Sequence, residues 1–280
     1  MSTLERSQYE NPAMWQENRY LGNADELRRF EACARLIPAE ACSIVDVGTG
    51  NAAFLKFLGR VRPQLRSCGA DRSFTAIRFD VARRPLVQGS SDALPFRSGS
   101  ADVVSALEVI EHLPLAVFSR TLEELERVSA KYVLISVPYH EPKVMAKCPS
   151  CECEFNPHYH LRRFDKNSLE SLMPTFQCVG LMLIHKSDVW FASSVGAVYR
   201  RIRTWAGFFP AYTTCPLCGF SRNNGSAGDA YHAVARSDTA MRLGRAARHV
   251  IPRRSRAAWA VGLYQKPDSS SFDGRGPLHV

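Results

Sequence analysis

The chain has 280 residues, 45% apolar and 22% charged, which excludes a disordered or collagen-like protein. No apolar run approaches bilayer length, and MSTLERSQYENP has neither an apolar core nor a cleavage site. Nine cysteines are therefore expected in a reducing, cytoplasmic setting, where clustered thiols more often mean metal than disulfide. The net charge of +9 is local, because residues 1–140 hold 17 Lys/Arg and 17 Asp/Glu whereas residues 141–280 hold 19 and 10.

NADELRRFEACARLI (23–37) predicts a helix capped by Asn23, with Glu26 three residues on, that stops at Pro38. SIVDVGTG is a β-branched run ending in glycines, and NAAFLKFLGRV after it reads as a helix. RSCGAD predicts a weak strand and SFTAIRFDVA a helix. LVQG, ADVVSALEV and KYVLISVPY are further strands, with the helical LAVFSRTLEELERV between the last two. Strands alternating with helices predict a doubly wound parallel sheet covered on both faces. FDKNSLESLM predicts another helix, FQCVGLMLIHKS a sixth strand and AAWAVGLYQK (257–266) a similar seventh. The tail after Pro267 is polar and expected to lack regular structure. Cys33, Cys42, Cys68 and Cys178 stand among apolar residues and are expected in the core.

Gly48-Thr49-Gly50-Asn51-Ala52-Ala53 follows a strand and opens a helix, the context of a nucleotide-type loop. It satisfies G-x-G-x-x-A, so a nicotinamide cofactor competes, as does a plain strand-to-helix turn. Asp46 separates these ligands. A carboxylate two residues before Gly48 repels a pyrophosphate but suits a cationic ligand without phosphate, such as S-adenosylmethionine. Asp71, 21 residues after Gly50, stands where an acid holds ribose hydroxyls in doubly wound folds. Asp92 in GSSDALPF is placed to accept from an adenine amino group, or else forms an Asx-turn.

IVDVGTGNAAFL, GADRS, GSSDALPF and SADVVSALEVIEHLP together resemble successive motifs of class I S-adenosylmethionine-dependent methyltransferases, especially the methyltransferase type 11 group. The resemblance runs from about Ser43 to Pro138. It implies that Asp46, Gly48 and Gly50 receive the methionine end, Asp71 the ribose, and Asp92 with Ala93 the adenine, while Leu107 and Glu108 line the same pocket. Ala52 departs from a glycine frequent at its position. The resemblance further implies a Rossmann-like sheet of seven strands, the seventh antiparallel between the fifth and sixth. Segments 139–164 and 188–256 then leave the sheet edge where substrates bind. The implied organisation is a core over 1–188, a zinc-knuckle and basic insertion over 189–255 between strands six and seven, and a closing strand and tail over 256–280.

Cys148-Pro-Ser-Cys151 and Cys215-Pro-Leu-Cys218 are two C-x-x-C knuckles, whose four thiolates suit one closed tetrahedral zinc site. The 63 intervening residues exceed the usual spacing, but the implied topology brings both knuckles to one sheet edge. Cys153, His158 and His160 are spare candidate ligands, His160 being equally placed to cap the following helix. A redox dithiol competes, although the thioredoxin-like helix it normally opens is absent.

Methyl transfer needs alignment first, and a base only where the acceptor loses a proton. Glu111 and His112 after strand four and His140 after strand five are the candidate bases; Glu111 and His112 equally suit local hydrogen bonding at a helix start. VWFASSVGAVYRRIRTWAGFF (189–209) carries Arg200, Arg201 and Arg203, and DTAMRLGRAARHVI (238–251) aligns Arg242, Arg245 and Arg248 on one helical side. Such helices lie on anionic membranes, bind phosphates, or pack on their own domain. The reading is methyl transfer to a small-molecule or lipid/glycan-linked acceptor. An RNA acceptor docked through the knuckles and arginines, and a non-catalytic zinc-binding scaffold, are the alternatives.

Overall fold

The computed structural model describes residues 9–10, 12, 15, 20–79, 85–141, 145–189, 209, 213–221, 253–267 and 278–279. The chain divides into two compact units. The larger comprises Tyr9–His140, Arg162–Ile184 and Ala257–Val280; the smaller comprises Met1–Gln8, Glu141–Leu161 and His185–Arg256. Arg200, Arg201, Arg203 and the 238–251 segment fall outside the described residues.

The main sheet is built from β1 (Ser43–Val47), β2 (Arg66–Asp71), β3 (Leu86–Gln88), β4 (Ala101–Leu107), β5 (Ser129–Pro138), β8 (Gln177–Val189) and β9 (Arg253–Gln265), with β6 and β7 lying elsewhere. Its order is β8-β9-β5-β4-β1-β2-β3. β1 pairs parallel with β2 and β4, and β4 pairs parallel with β5. β9 runs antiparallel to β5, from Tyr132↔Gln265 to Pro138↔Trp259. The seven-stranded arrangement with an inserted antiparallel last strand is thus the one observed. Leu278–His279 (β10) adds a short parallel pairing beside Gly180 and Leu181, where the sequence predicts a tail without regular structure.

The apolar strands read as near-continuous runs because both faces are covered. Ile44, Val103 and Leu134 pack with Phe30, Cys33, Phe54, Leu55 and Leu58 of α1 (Ala24–Leu36) and α2 (Ala53–Val61). Their neighbours Val45, Val104 and Ile135 pack on the opposite face with Leu125 of α4 (Leu115–Val128) and Leu169 of α5 (Lys166–Glu170). The helix after β2, α3 (Phe74–Arg78), is capped by Ser73.

Three local details differ from the sequence reading. Asn23 caps α1 as expected, accepting from the Asp25 N–H, but Glu26 closes no capping box and accepts from Arg29 instead. Asp165, with Ser168, forms the capping box of α5, so that role does not fall to His160. Cys42 is exposed, because it precedes β1 and its N–H donates to Asp102 at the start of β4.

In the smaller unit β6 (Ala146–Lys147) and β7 (Glu154–Phe155) pair antiparallel around the first knuckle. The second knuckle lies within the Thr214↔Ser221 bridge. The two turns repeat each other: the Cys148 carbonyl accepts from the Glu152 N–H, and the Cys215 carbonyl from the Gly219 N–H. Glu152 and Gly219 hold matching left-handed φ angles of 60° and 74°. Ala146, Phe155, Tyr159 and Phe209 bury the base of both. Among the described residues no helix is long and apolar enough to cross a membrane.

Candidate active site and cysteine cluster

Unusual backbone gathers where β1, β4 and β5 end. Gly48, Gly50 and Ala52 after β1, Glu108 after β4 and His140 after β5 all have positive φ. Ala52 is fully buried at φ 58°, a conformation that glycine adopts without strain. Left-handed non-glycine residues cost about 1–2 kcal/mol each, and they persist where surrounding structure holds them.

The glycine loop is tied to β2. The Gly48 and Thr49 N–H groups both donate to the Ala70 carbonyl, at 2.8 and 3.1 Å. The Gly50 N–H donates to Asp71 Oδ2 at 2.8 Å, and the Ser73 N–H to Asp71 Oδ1 at 2.7 Å. Burial raises the Asp71 pKa, and these two bonds oppose the rise. Asp46 is 3% exposed and accepts from Ser105 Oγ at 2.6 Å. Burial lifts its pKa to about 6 against the opposing bond from Ser105, with Asp71 adding to the lift. Two carboxylates thus stand near the ends of two adjacent strands, Asp46 buried and Asp71 half-buried.

Asp92 sits in a tight turn, accepting from Ser90 Oγ while the Ala93 N–H donates to the Ser90 carbonyl. Its loop is held by α4: Glu124 Oε2 accepts from the Leu94 N–H at 2.6 Å, and Arg127 donates to the Leu94 and Phe96 carbonyls. Leu107 ends β4, and the Glu108 carboxylate turns toward β5 and β9, accepting from Ser136 Oγ and Trp259 Nε1 at 3.1 Å each.

The sequence reading missed a buried cation. Arg29 of α1 is 4% exposed, one nitrogen pairing with Glu26. Its Nε and Nη1 have no hydrogen-bond partner among the described residues. Burial alone lowers its pKa, yet Glu108 and Glu26 hold it above the usual value, and Arg29 in turn favours ionised Asp46. Its helical position reads as polar, so no pattern in the sequence announces the burial.

Glu111 and His112 lie on a 3-10 turn, Ile110–His112, that follows β4, with Glu111 fully buried and His112 Nε2 3.8 Å from its carboxylate. His140 donates its N–H to the Phe164 carbonyl, and its ring meets Tyr139 edge-on at 4.5 Å. Arg162 fixes the turn from across the unit, donating to the Leu113 carbonyl and lying 4.0 Å over the Phe118 ring.

The N-terminal segment, silent in the sequence, reaches the glycine loop. Asn51 Nδ2 donates to the Trp15 carbonyl at 2.9 Å, and Ser73 Oγ to the Tyr9 carbonyl at 2.8 Å. The Tyr9 ring lies edge-on to His112 at 6.2 Å. A Cβ on Gly50 would fall 2.6 Å from the Trp15 ring, at a φ of 57°. Gly50→Ala is therefore expected to cost about 2 kcal/mol, combining backbone strain with displaced packing. Urea unfolding measures that loss, and a red-shifted tryptophan emission reports the displacement of Trp15.

In the smaller unit the Sγ atoms of Cys148, Cys151, Cys215 and Cys218 all lie within 4.8 Å of one another and form a group able to hold a metal ion. Cys148 and Cys218 are 3.6 Å apart, as are Cys151 and Cys215. Cys153 lies outside this group, 3.2 Å from Cys215. His160 Nδ1 pairs with Glu141, and the His158 N–H with its own loop at Asn156.

The fold and the loop at its carboxyl edge define a Rossmann-like methyltransferase. A family profile described as a methyltransferase domain matches residues 14–185, and the chain belongs to that family. The activity that the family's description gives is methyl transfer. None of the curated proteins matches it in sequence. Among solved structures it is similar to the methyltransferase bound to the Trm112 activator of Haloferax volcanii, with 17% identity over 91% of this chain and 96% of that one and a TM-score of 0.53. A S-adenosylmethionine-dependent methyltransferase of Archaeoglobus fulgidus gives 14% identity over 89% and 97%, with a TM-score of 0.51. These likenesses are of fold.

Proposed function

We propose that the larger unit binds S-adenosylmethionine across the ends of β1, β2 and β4 and transfers its methyl group to a small-molecule or lipid/glycan-linked acceptor. The observation that carries this reading is the use already made of the glycine loop. The Gly48, Thr49 and Gly50 N–H groups, which would cradle a pyrophosphate, are committed to Ala70 and Asp71, and two carboxylates stand beside them. That set repels a dinucleotide and receives a cation.

In this reading Asp46, with Gly48 and Gly50, faces the methionine ammonium, and Arg29 offers its Nε and Nη1 to the carboxylate of the same zwitterion. Asp71 keeps acceptor capacity for the ribose hydroxyls, Asp92 and Ala93 meet the adenine, and Leu107 and Glu108 close the pocket. The cofactor supplies an activated methyl group. The protein orients it, excludes water and aligns the acceptor. Glu111, His112 and His140, on the acceptor side, are the groups available to take a proton where the acceptor is a hydroxyl or amine. The Lys/Arg excess of residues 141–280 favours an anionic acceptor, with recognition assigned to the 189–255 insertion.

Calorimetric titration with S-adenosylmethionine tests the reading. Asp71→Ala is expected to weaken binding about 30- to 100-fold through loss of charge-assisted bonds to the ribose. No heat of binding, or a variant equal to wild type, overturns it.

The four-cysteine group is proposed as a structural zinc site. Tetrahedral thiolates with metal–sulfur bonds of about 2.3 Å stand about 3.8 Å apart. The observed 3.6 Å pairs meet that requirement.

A further inference from the structure

Five thiols meet where a tetrahedral metal takes four. Cys148 and Cys215 are buried, Cys151 and Cys153 half-buried, and Cys218 exposed. The group whose atoms all lie within 4.8 Å uses four of them and omits Cys153. Yet Cys153 comes nearer to a member of that group, 3.2 Å from Cys215 Sγ, than the 3.6 Å that separates Cys148 from Cys218 or Cys151 from Cys215. The turn fixes it there, since the Cys153 carbonyl accepts from the Cys148 N–H at 2.9 Å. Cys153 is thus a reachable thiol held against the fully buried Cys215.

We infer that Cys153 is an oxidation site whose reaction with a hydroperoxide captures Cys215 as a disulfide and dismantles the four-thiolate group. The Cys153 sulfur attacks the peroxide oxygen as its thiolate and breaks the O–O bond, and the proton it has given up passes to the departing oxygen, giving a sulfenic acid and the alcohol, or water in the case of hydrogen peroxide. The Cys215 sulfur then attacks the sulfenic sulfur, forming the S–S bond and expelling hydroxide, which leaves as water after taking one proton. Two thiols lose two electrons and two protons in all, and the peroxide O–O bond receives them. A short side-chain rotation separates 3.2 Å from a sulfur–sulfur bond of about 2 Å. Once oxidised, Cys215 no longer offers a thiolate, and three ligands hold a structural zinc poorly. The loss of metal rests on the zinc reading above; the disulfide does not.

The experiment treats the zinc-loaded full chain with hydrogen peroxide, following metal release with a chromogenic chelator and mapping disulfides by peptide mass spectrometry. Wild type is expected to release its zinc and yield a Cys153–Cys215 linkage. Cys153→Ser should still hold zinc but release it about tenfold more slowly, since no sulfenic acid then forms beside Cys215 to capture it. Equal release rates for zinc-loaded wild type and variant, or a Cys153 that stays alkylatable after oxidation, overturn the inference. A wild type without zinc before treatment instead defeats the zinc reading, and the peptide map alone then decides the Cys153–Cys215 pairing.

Discussion

Replacing Cys215 with serine is expected to abolish metal binding and unfold the knuckle pair, with an effect on the smaller unit larger than that of any other single change described. Cys215 is fully buried, lies 3.6 Å from Cys151, and holds the second knuckle through its N–H and carbonyl. The apolar support beneath it consists of Ala146, Phe155, Tyr159 and Phe209, a small cluster for two tight turns. Small units of this size generally need a staple, and structural zinc contributes about 10–16 kcal/mol of apparent binding energy that appears as folding energy. Metal analysis should give about one zinc per wild-type chain and none in the variant. Hydrogen exchange at the Glu152 and Gly219 amides should lose its protection, whereas the β4 and β5 amides keep theirs. A metal-free wild type that remains folded with all four thiols reactive reduces the knuckles to ordinary loop turns.

The fold was legible because its signals are local. Val45, Val104 and Ile135 lie on one face and Ile44, Val103 and Leu134 on the other, so β1, β4 and β5 read as apolar runs in the sequence. The loop after β1 is equally local, since its glycines, Asp46 and Asp71 fall at fixed offsets from strand ends. The features that were not legible depend on distant parts of the chain. Trp15 approaches Gly50, and Tyr9 approaches Ser73, across separations for which no periodicity exists. Arg29 follows the exposed Arg28 directly in the sequence, and its burial as an ion rests on Glu26 of its own helix together with Glu108, which follows β4 and is remote in the sequence. The matching turns of the knuckles were masked by residue type. Gly219 advertises a left-handed conformation, while Glu152 adopts the same one without any such sign. Cys42 shows the converse failure, since apolar neighbours in sequence predict burial and a position just ahead of a strand removes it.

Binding of S-adenosylmethionine should expel a proton from Asp46. Enclosure raises this carboxyl from 3.8 to about 6 in the ligand-free protein. The native state therefore holds a proton through the window from about pH 4 to 6 that the unfolded chain has already lost. Stability of the ligand-free protein falls as pH rises through that window, by about 3 kcal/mol in total, and levels off above it. A ligand bearing an ammonium and a sulfonium beside Asp46 stabilises the ionised form, which reverses the preference. Affinity is then expected to rise about tenfold per pH unit up to about pH 6 and to flatten beyond. Calorimetry at pH 5.5 in buffers of different ionisation enthalpy should show release of about three-quarters of a proton per cofactor bound. The neutral analogue 5′-methylthioadenosine, which lacks both cationic groups, should bind with no such dependence. Asp46→Asn should lose the pH profile for S-adenosylmethionine while keeping its affinity for the neutral analogue, because the amide preserves the shape of the pocket and removes only its charge. A wild-type profile that is flat between pH 5 and 7 would show that Asp46 does not face the cationic end of the ligand.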